Sequence, residues 1–178
     1  MTDLETLDDY GVLTAPTTLR IQRLLPGPIE RVWDYLVQSD LRRQWFAAGE
    51  MPMEVGGSVE LVWRNDELTN PPGKRPPGSA AENRMQSRIL ELDPLRKLVI
   101  AWGTSGRVSF ELERRGSDVL LTIVHHGVPD RASLLNFGPG WHAHLDILAA
   151  LFAREQPKPF WDEILRLKAE YGQRLPDA

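Results

Sequence analysis

The sequence predicts an α+β domain in which a curved antiparallel sheet is closed by one long helix beginning near Pro139-Gly140-Trp141. Three observations lead there. Four short segments between Met85 and His126 alternate apolar and polar residues and are separated by tight turn signals, the pattern of an antiparallel meander. Trp141, Leu145, Leu148 and Phe152 then recur at helical spacing and form one apolar stripe. A sheet with one apolar face must cover that face, and the Trp141 helix is the nearby element long enough to do so.

The elements follow in chain order. Residues 1–17 carry Asp3, Glu5, Asp8 and Asp9 among scattered leucines and are expected as a flexible leader, with an edge strand near Gly11-Val12-Leu13 as the alternative. Residues 18–178 are expected as a single domain with a helical tail over about 158–175. Leu19 to Leu25 alternates as a first strand, with Leu19, Ile21 and Arg23 on one side. Pro28 suits the first turn of a helix, where its missing N–H costs nothing, and Ile29, Val32, Trp33 and Leu36 give that helix an apolar stripe. Ser39-Asp40 is placed to cap a second short helix running through Arg43 to Phe46.

Gly56-Gly57 marks a turn, after which Val59, Leu61 and Trp63 share one face of a strand. The stretch 65–83 contains Pro71-Pro72-Gly73 and Pro76-Pro77-Gly78 and reads as a mobile loop or lid without regular structure. The meander strands are Met85 to Leu92, Lys97 to Trp102, Arg107 to Arg114 and Val119 to His126. Gly138-Pro139-Gly140 reads as a break before the long helix. Phe160, Ile164, Leu167 and Tyr171 form the stripe of a last helix, which could rest on its own domain or on a second copy in a homodimer.

Composition narrows the function classes. A net charge of -4 gives no global basic field for nucleic acid or anionic lipid. The absence of cysteine excludes disulfides, thiolate zinc sites and cysteine nucleophiles. No apolar run approaches the roughly 18–20 residues of a membrane helix. Met1 to Tyr10 lacks the pattern of a signal peptide, so a cytoplasmic protein is expected.

The element order carries specific motifs. They are Pro28-Ile29-Glu30-Arg31-Val32-Trp33, Trp45-Phe46, Gly56-Gly57, Glu91-Leu92-Asp93-Pro94 through Trp102, Thr122 to Pro129, and Gly140-Trp141 with Leu145 and Leu148. Lys158-Pro159-Phe160-Trp161 through Tyr171 adds a tail of the kind found on many bacterial members. Together they resemble the START-like (Bet v 1-like, SRPBCC) superfamily over roughly residues 18–175, in its branch related to the activator of Hsp90 ATPase. The resemblance implies a helix-grip fold: a curved sheet wrapped around the long C-terminal helix, with two short helices between strands 1 and 2. It also implies a range of roles, from lipid carriage and polyketide cyclisation to co-chaperone activity, and a shared fold does not choose among them.

A grip fold leaves a gap between sheet and helix, where apolar ligands commonly sit. The residues expected to face it are Trp63, Trp102, Phe110, Leu121, Ile123, His125, Trp141 and Leu145. His125 shares its face with Val119, Leu121 and Ile123, so its imidazole should lie inside. It reads either as a buried neutral histidine bonded to a carbonyl or near Trp141, or as a ligand anchor or acid/base. His126 should point the other way, and His142 and His144 lie on nearly opposed sides of their helix. Neither pair has zinc-ligand spacing, so no metal or other cofactor is expected. Glu91, alternating with Ile89 and Ser87, falls near the cavity edge, and Arg42-Arg43 reads as a solvated pair.

Three functions fit. The first is binding of a hydrophobic or amphipathic small molecule between sheet and helix. The second, from the resemblance, is interaction with an Hsp90-type chaperone; residues 1–17 are too short to supply the extra N-terminal domain of the eukaryotic activator. The third is a cyclase- or hydrolase-like enzyme using His125, which would need a partner within hydrogen-bond reach.

Overall fold

The computed structural model describes residues 8–104 and 106–175. Seven antiparallel strands form one sheet: β1 (Val12–Ala15), β2 (Thr18–Pro26), β3 (Ser58–Trp63), β4 (Asn83–Asp93), β5 (Lys97–Trp102), β6 (Gly106–Arg115) and β7 (Asp118–His126), in the order β1-β2-β7-β6-β5-β4-β3. Helices α1 (Ile29–Val37) and α2 (Ser39–Arg42) fall between β2 and β3, and α3 (Arg131–Ala153) and α4 (Phe160–Arg174) follow the sheet. The helix-grip expectation is met, because a sheet apolar on one face is covered by α3.

Alternation sets the inner face. Leu19, Ile21, Arg23 and Leu25 of β2 oppose His125, Ile123, Leu121 and Val119 of β7, and all eight are buried. Val108 and Phe110 of β6 continue that face against Ile100 and Leu98 of β5. The α1 stripe Ile29, Val32, Trp33 and Leu36 is buried as its spacing requires.

Six expectations are corrected. The leader reading gives way to its alternative over Val12–Ala15, where the edge strand β1 pairs with β2; residues 1–7 lie outside the described residues. Helix α2 ends at Arg42, and Ser39 sits inside it, its Oγ accepting from the Gly49 N–H rather than capping. The guanidinium of Arg42 is buried and donates to the carbonyls of Leu36, Ala47 and Gly49, so of the Arg42-Arg43 pair Arg43 alone is solvated. A bulge between Ile89 and Glu91 shifts the phase of β4; Glu91 therefore turns outward and lies near Lys97, 3.5 Å away.

The fifth correction concerns α3. It starts at Arg131, eight residues before Pro139, with Asp130 as its cap: the carboxylate accepts from the Ser133 N–H at 2.8 Å. Pro139 lies inside the helix and deletes one helical donor, a cost of about 3 kcal/mol. The burial of Leu134, Gly138 and Pro139 offsets it.

The sixth concerns the loop after β3. It contains a 3-10 turn at Asn65–Glu67, and its first half is fastened to the start of α4. Thr69 Oγ1 accepts from the Phe160 N–H at 3.0 Å and donates to Pro71 O at 2.8 Å. Pro72 O accepts from the Trp161 N–H, and Asp66 from the Trp161 indole at 2.7 Å. Pro159, the residue before α4, has no side chain to cap it, so the loop supplies the missing acceptors. The α4 stripe is buried within the chain, with Phe160, Ile164, Leu167 and Tyr171 all covered.

Candidate functional site

The gap between sheet and α3 is largely filled. Phe110, Leu121, Ile123 and Leu145, four of the residues expected to line a cavity, are core residues with almost no exposure. At one end the packing opens into a pocket of about 90 Å³, lined by Phe46, Trp63, Trp102, Phe137, Trp141 and His144, with Asn136 and Gly140 at its mouth. Trp63, Trp102 and Trp141 are thus brought together as expected; Phe46, Phe137 and His144 were not foreseen.

The walls come from four places in the chain. Phe46 ends the turn after α2, Trp63 closes β3, Trp102 closes β5, and Phe137, Trp141 and His144 are successive turns of α3. The rings contact one another edge-on or offset. Phe46 lies 5.4 Å from Trp63 and 5.0 Å from Trp141, and Trp102 lies 5.7 Å from Trp63 and 5.5 Å from Trp141. Such contacts add about 0.5–1.5 kcal/mol per pair beyond burial.

His125 stands behind this cluster. Its Nδ1 accepts from the Trp141 indole N–H at 3.0 Å, and Phe137 stacks on its face at 4.4 Å. Burial lowers its pKa to about 4, with neighbouring His126 adding to the effect. A neutral ring accepting at Nδ1 carries its proton on Nε2. The Nδ1 lone pair, the one a general base would use, is therefore already engaged.

His144 has the opposite tautomer. Its Nδ1 lies 2.8 Å from Trp45 O; a carbonyl only accepts, so Nδ1 holds the proton and Nε2 holds a lone pair. Burial lowers its pKa to about 4. Elsewhere on α3, His142 Nδ1 meets the Tyr171 hydroxyl at 2.9 Å and its Nε2 lies 3.4 Å from Asp146, itself paired with Arg23 at 2.8 Å. That chain of polar groups ties β2, α3 and α4 together away from the pocket.

A larger cleft of about 440 Å³ lies between β2, α3 and α4, outside the grip. It is lined by Leu24, Ile147 and Ala150 together with the charged Glu155, Lys158 and Glu163. It lacks convergent aromatic walls, and the aromatic pocket is the one lying between sheet and helix.

A family model described as Activator of Hsp90 ATPase homolog 1-like protein matches residues 26–153, the span from the end of β2 to the end of α3. The chain belongs to that family. Among solved structures, the chain is similar to the protein encoded by BPP1335 of Bordetella parapertussis, with 35% identity over 96% of this chain and 92% of the other, at a TM-score of 0.78. It is also similar to CalU16 of Micromonospora echinospora, at 24% identity over 88% and 84% of the two chains and a TM-score of 0.64. A conserved protein of Enterococcus faecalis, at 16% identity and a TM-score of 0.64 over 90% of this chain and 86% of the other, shares the fold. No curated protein matches. Among the described residues no helix is long and apolar enough to cross a membrane.

Proposed function

We propose that this member of the family binds a small aromatic or similarly apolar molecule in the pocket between the sheet and α3. The observation that carries the reading is the convergence of Phe46, Trp63, Trp102, Phe137 and Trp141 on one opening. Aromatic walls with few polar groups are the usual chemistry of small-molecule sites. The volume bounds the ligand. An apolar cavity of about 150 Å³ takes up benzene, so a pocket of about 90 Å³ admits one ring after a modest outward shift. Phe137 and Trp102, both half-buried, are the rings placed to make it. The buried centre formed by Phe110, Leu121, Ile123 and Leu145 acts as a floor that limits depth. Titration with benzene, followed through the tryptophan indole N–H resonances, tests the proposal. Shifts centred on Trp63, Trp102 and Trp141 are expected; unmoved resonances up to the solubility limit would remove it.

The family description favours a second reading, an interaction with an Hsp90-type chaperone. Its test is stimulation of the host chaperone's ATPase by the purified protein. Absence of both binding and stimulation at tens of micromolar would set it aside.

A further inference from the structure

One residue that lines the proposed pocket keeps an unused hydrogen-bond acceptor. It is His144, and its Nδ1–H is spent on Trp45 O. Among the described residues Nε2 has no hydrogen-bond partner, and it is not among the side-chain atoms sealed from solvent without one. The imidazole is wedged by Phe46, edge-on at 5.3 Å, and by Phe160 at 5.0 Å, so the ring cannot turn freely to re-aim its lone pair. We infer that the ligand is a planar aromatic molecule carrying a neutral O–H or N–H donor, which it gives to Nε2 of His144.

The inference rests on the ligand reading above and adds a specificity to it. A pocket built to hydrogen-bond a substrate group rejects the analogue that lacks it, because its own polar atom is then left unpaired. The same geometry disfavours carboxylates: a neutral His144 offers a lone pair, and an anion would face another electron-rich atom. Burial keeps the ring neutral, with a pKa near 4, so the preference should persist from pH 8 to pH 5.

Fluorine NMR titrations with para-fluorophenol and fluorobenzene, nearly matched in shape, provide the test. The wild-type protein should bind the phenol about three- to tenfold more tightly, the range a single hydrogen bond supports. His144→Leu should bring the two within about twofold. Equal binding of both by the wild type would overturn the donor requirement while leaving the ligand site standing. Binding of neither would remove the ligand reading itself. Long-range proton–nitrogen spectra of the wild type give a measure independent of the variant's folding. Nε2 of His144 should resonate as an unprotonated nitrogen that moves with para-fluorophenol and stays put with fluorobenzene. A protonated Nε2 would overturn the inference.

Discussion

The indole N–H of Trp141 donates to Nδ1 of His125 at 3.0 Å, joining the middle of α3 to the last buried residue of β7. Both groups are buried, so each would be left unsatisfied without the other. Removing one partner should therefore cost more than half of what removing both costs. Urea unfolding of His125→Leu and Trp141→Phe should each show a loss of about 1–3 kcal/mol. The double variant should lose less than the sum. Strict additivity would mean that the bond contributes nothing to the closure of the grip.

Acid should loosen the protein before its carboxylates titrate. Burial is the leading cause that lowers His125, His142 and His144 to about 4 each. For His142 the Arg23 cation adds to burial while Asp9 opposes it. Unfolded histidine titrates near about 6.5, so on acidification the unfolded chain takes up these protons first. Stability from this source is complete above about pH 6.5 and is lost as pH falls towards 4. Asp146, pushed up chiefly by burial, acts in the opposite sense as it takes its own proton. Urea midpoints should stay level from pH 7.5 to about 6.5 and fall from there towards pH 4.5. A midpoint unchanged between pH 7 and 5 would mean that the three imidazoles are protonated within the fold.

Thr69 should govern how tightly the 65–83 loop holds α4. Its hydroxyl serves the first amide of a helix whose own preceding residue is proline. Thr69→Val keeps the shape and deletes the oxygen, at a cost of about 0.5–2 kcal/mol, the range for a lost cap. Trypsin offers a second readout at the Lys74–Arg75 bond, which lies at the end of the fastened segment, where the Lys74 N–H meets Asp162 at 3.4 Å and Arg75 pairs with Asp66 at 2.6 Å. Cleavage there should quicken in the variant. Unchanged cleavage together with unchanged stability would show that the remaining bonds to Trp161 suffice.

The strands and the α4 stripe were legible because each buries one face, and burial imposes a period that sequence displays. Leu19, Ile21 and Arg23 were placed correctly on that ground, although the partner of Arg23, Asp146, is far away in the chain. What escaped was non-local or ran against local propensity. The bulge before Glu91 has no marker in the residues around it. The bonds from Thr69 and Asp66 to α4 join segments about ninety residues apart. Reading Pro139 as a break hid the first two turns of α3, and with them Phe137, which stands one turn before Trp141 on the same face. His144, three residues after Trp141, shares that face as well. Asp130 was the available signal, since an aspartate ahead of a helical run is a preferred cap.

Gly138 and Gly140, two residues apart in α3, should respond in opposite directions to the same substitution. Alanine gains about 1 kcal/mol over glycine in a helix interior. A Cβ at Gly140 would meet nothing within 4 Å, so Gly140→Ala should stabilise by about 0.5–1 kcal/mol. A Cβ at Gly138 would lie 3.1 Å from Cδ1 and 3.2 Å from Cε1 of Tyr171. That ring has little freedom to retreat: its hydroxyl accepts from the Gly11 N–H at 2.7 Å and bonds His142 at 2.9 Å. Overpacking of this kind costs about 1–3 kcal/mol, enough to outweigh the helical gain. Thermal or urea unfolding should therefore place Gly138→Ala below the wild type and Gly140→Ala above it. A stabilised Gly138→Ala would mean that α4 shifts on α3 to make room, and that the Tyr171 anchor is softer than its two hydrogen bonds imply.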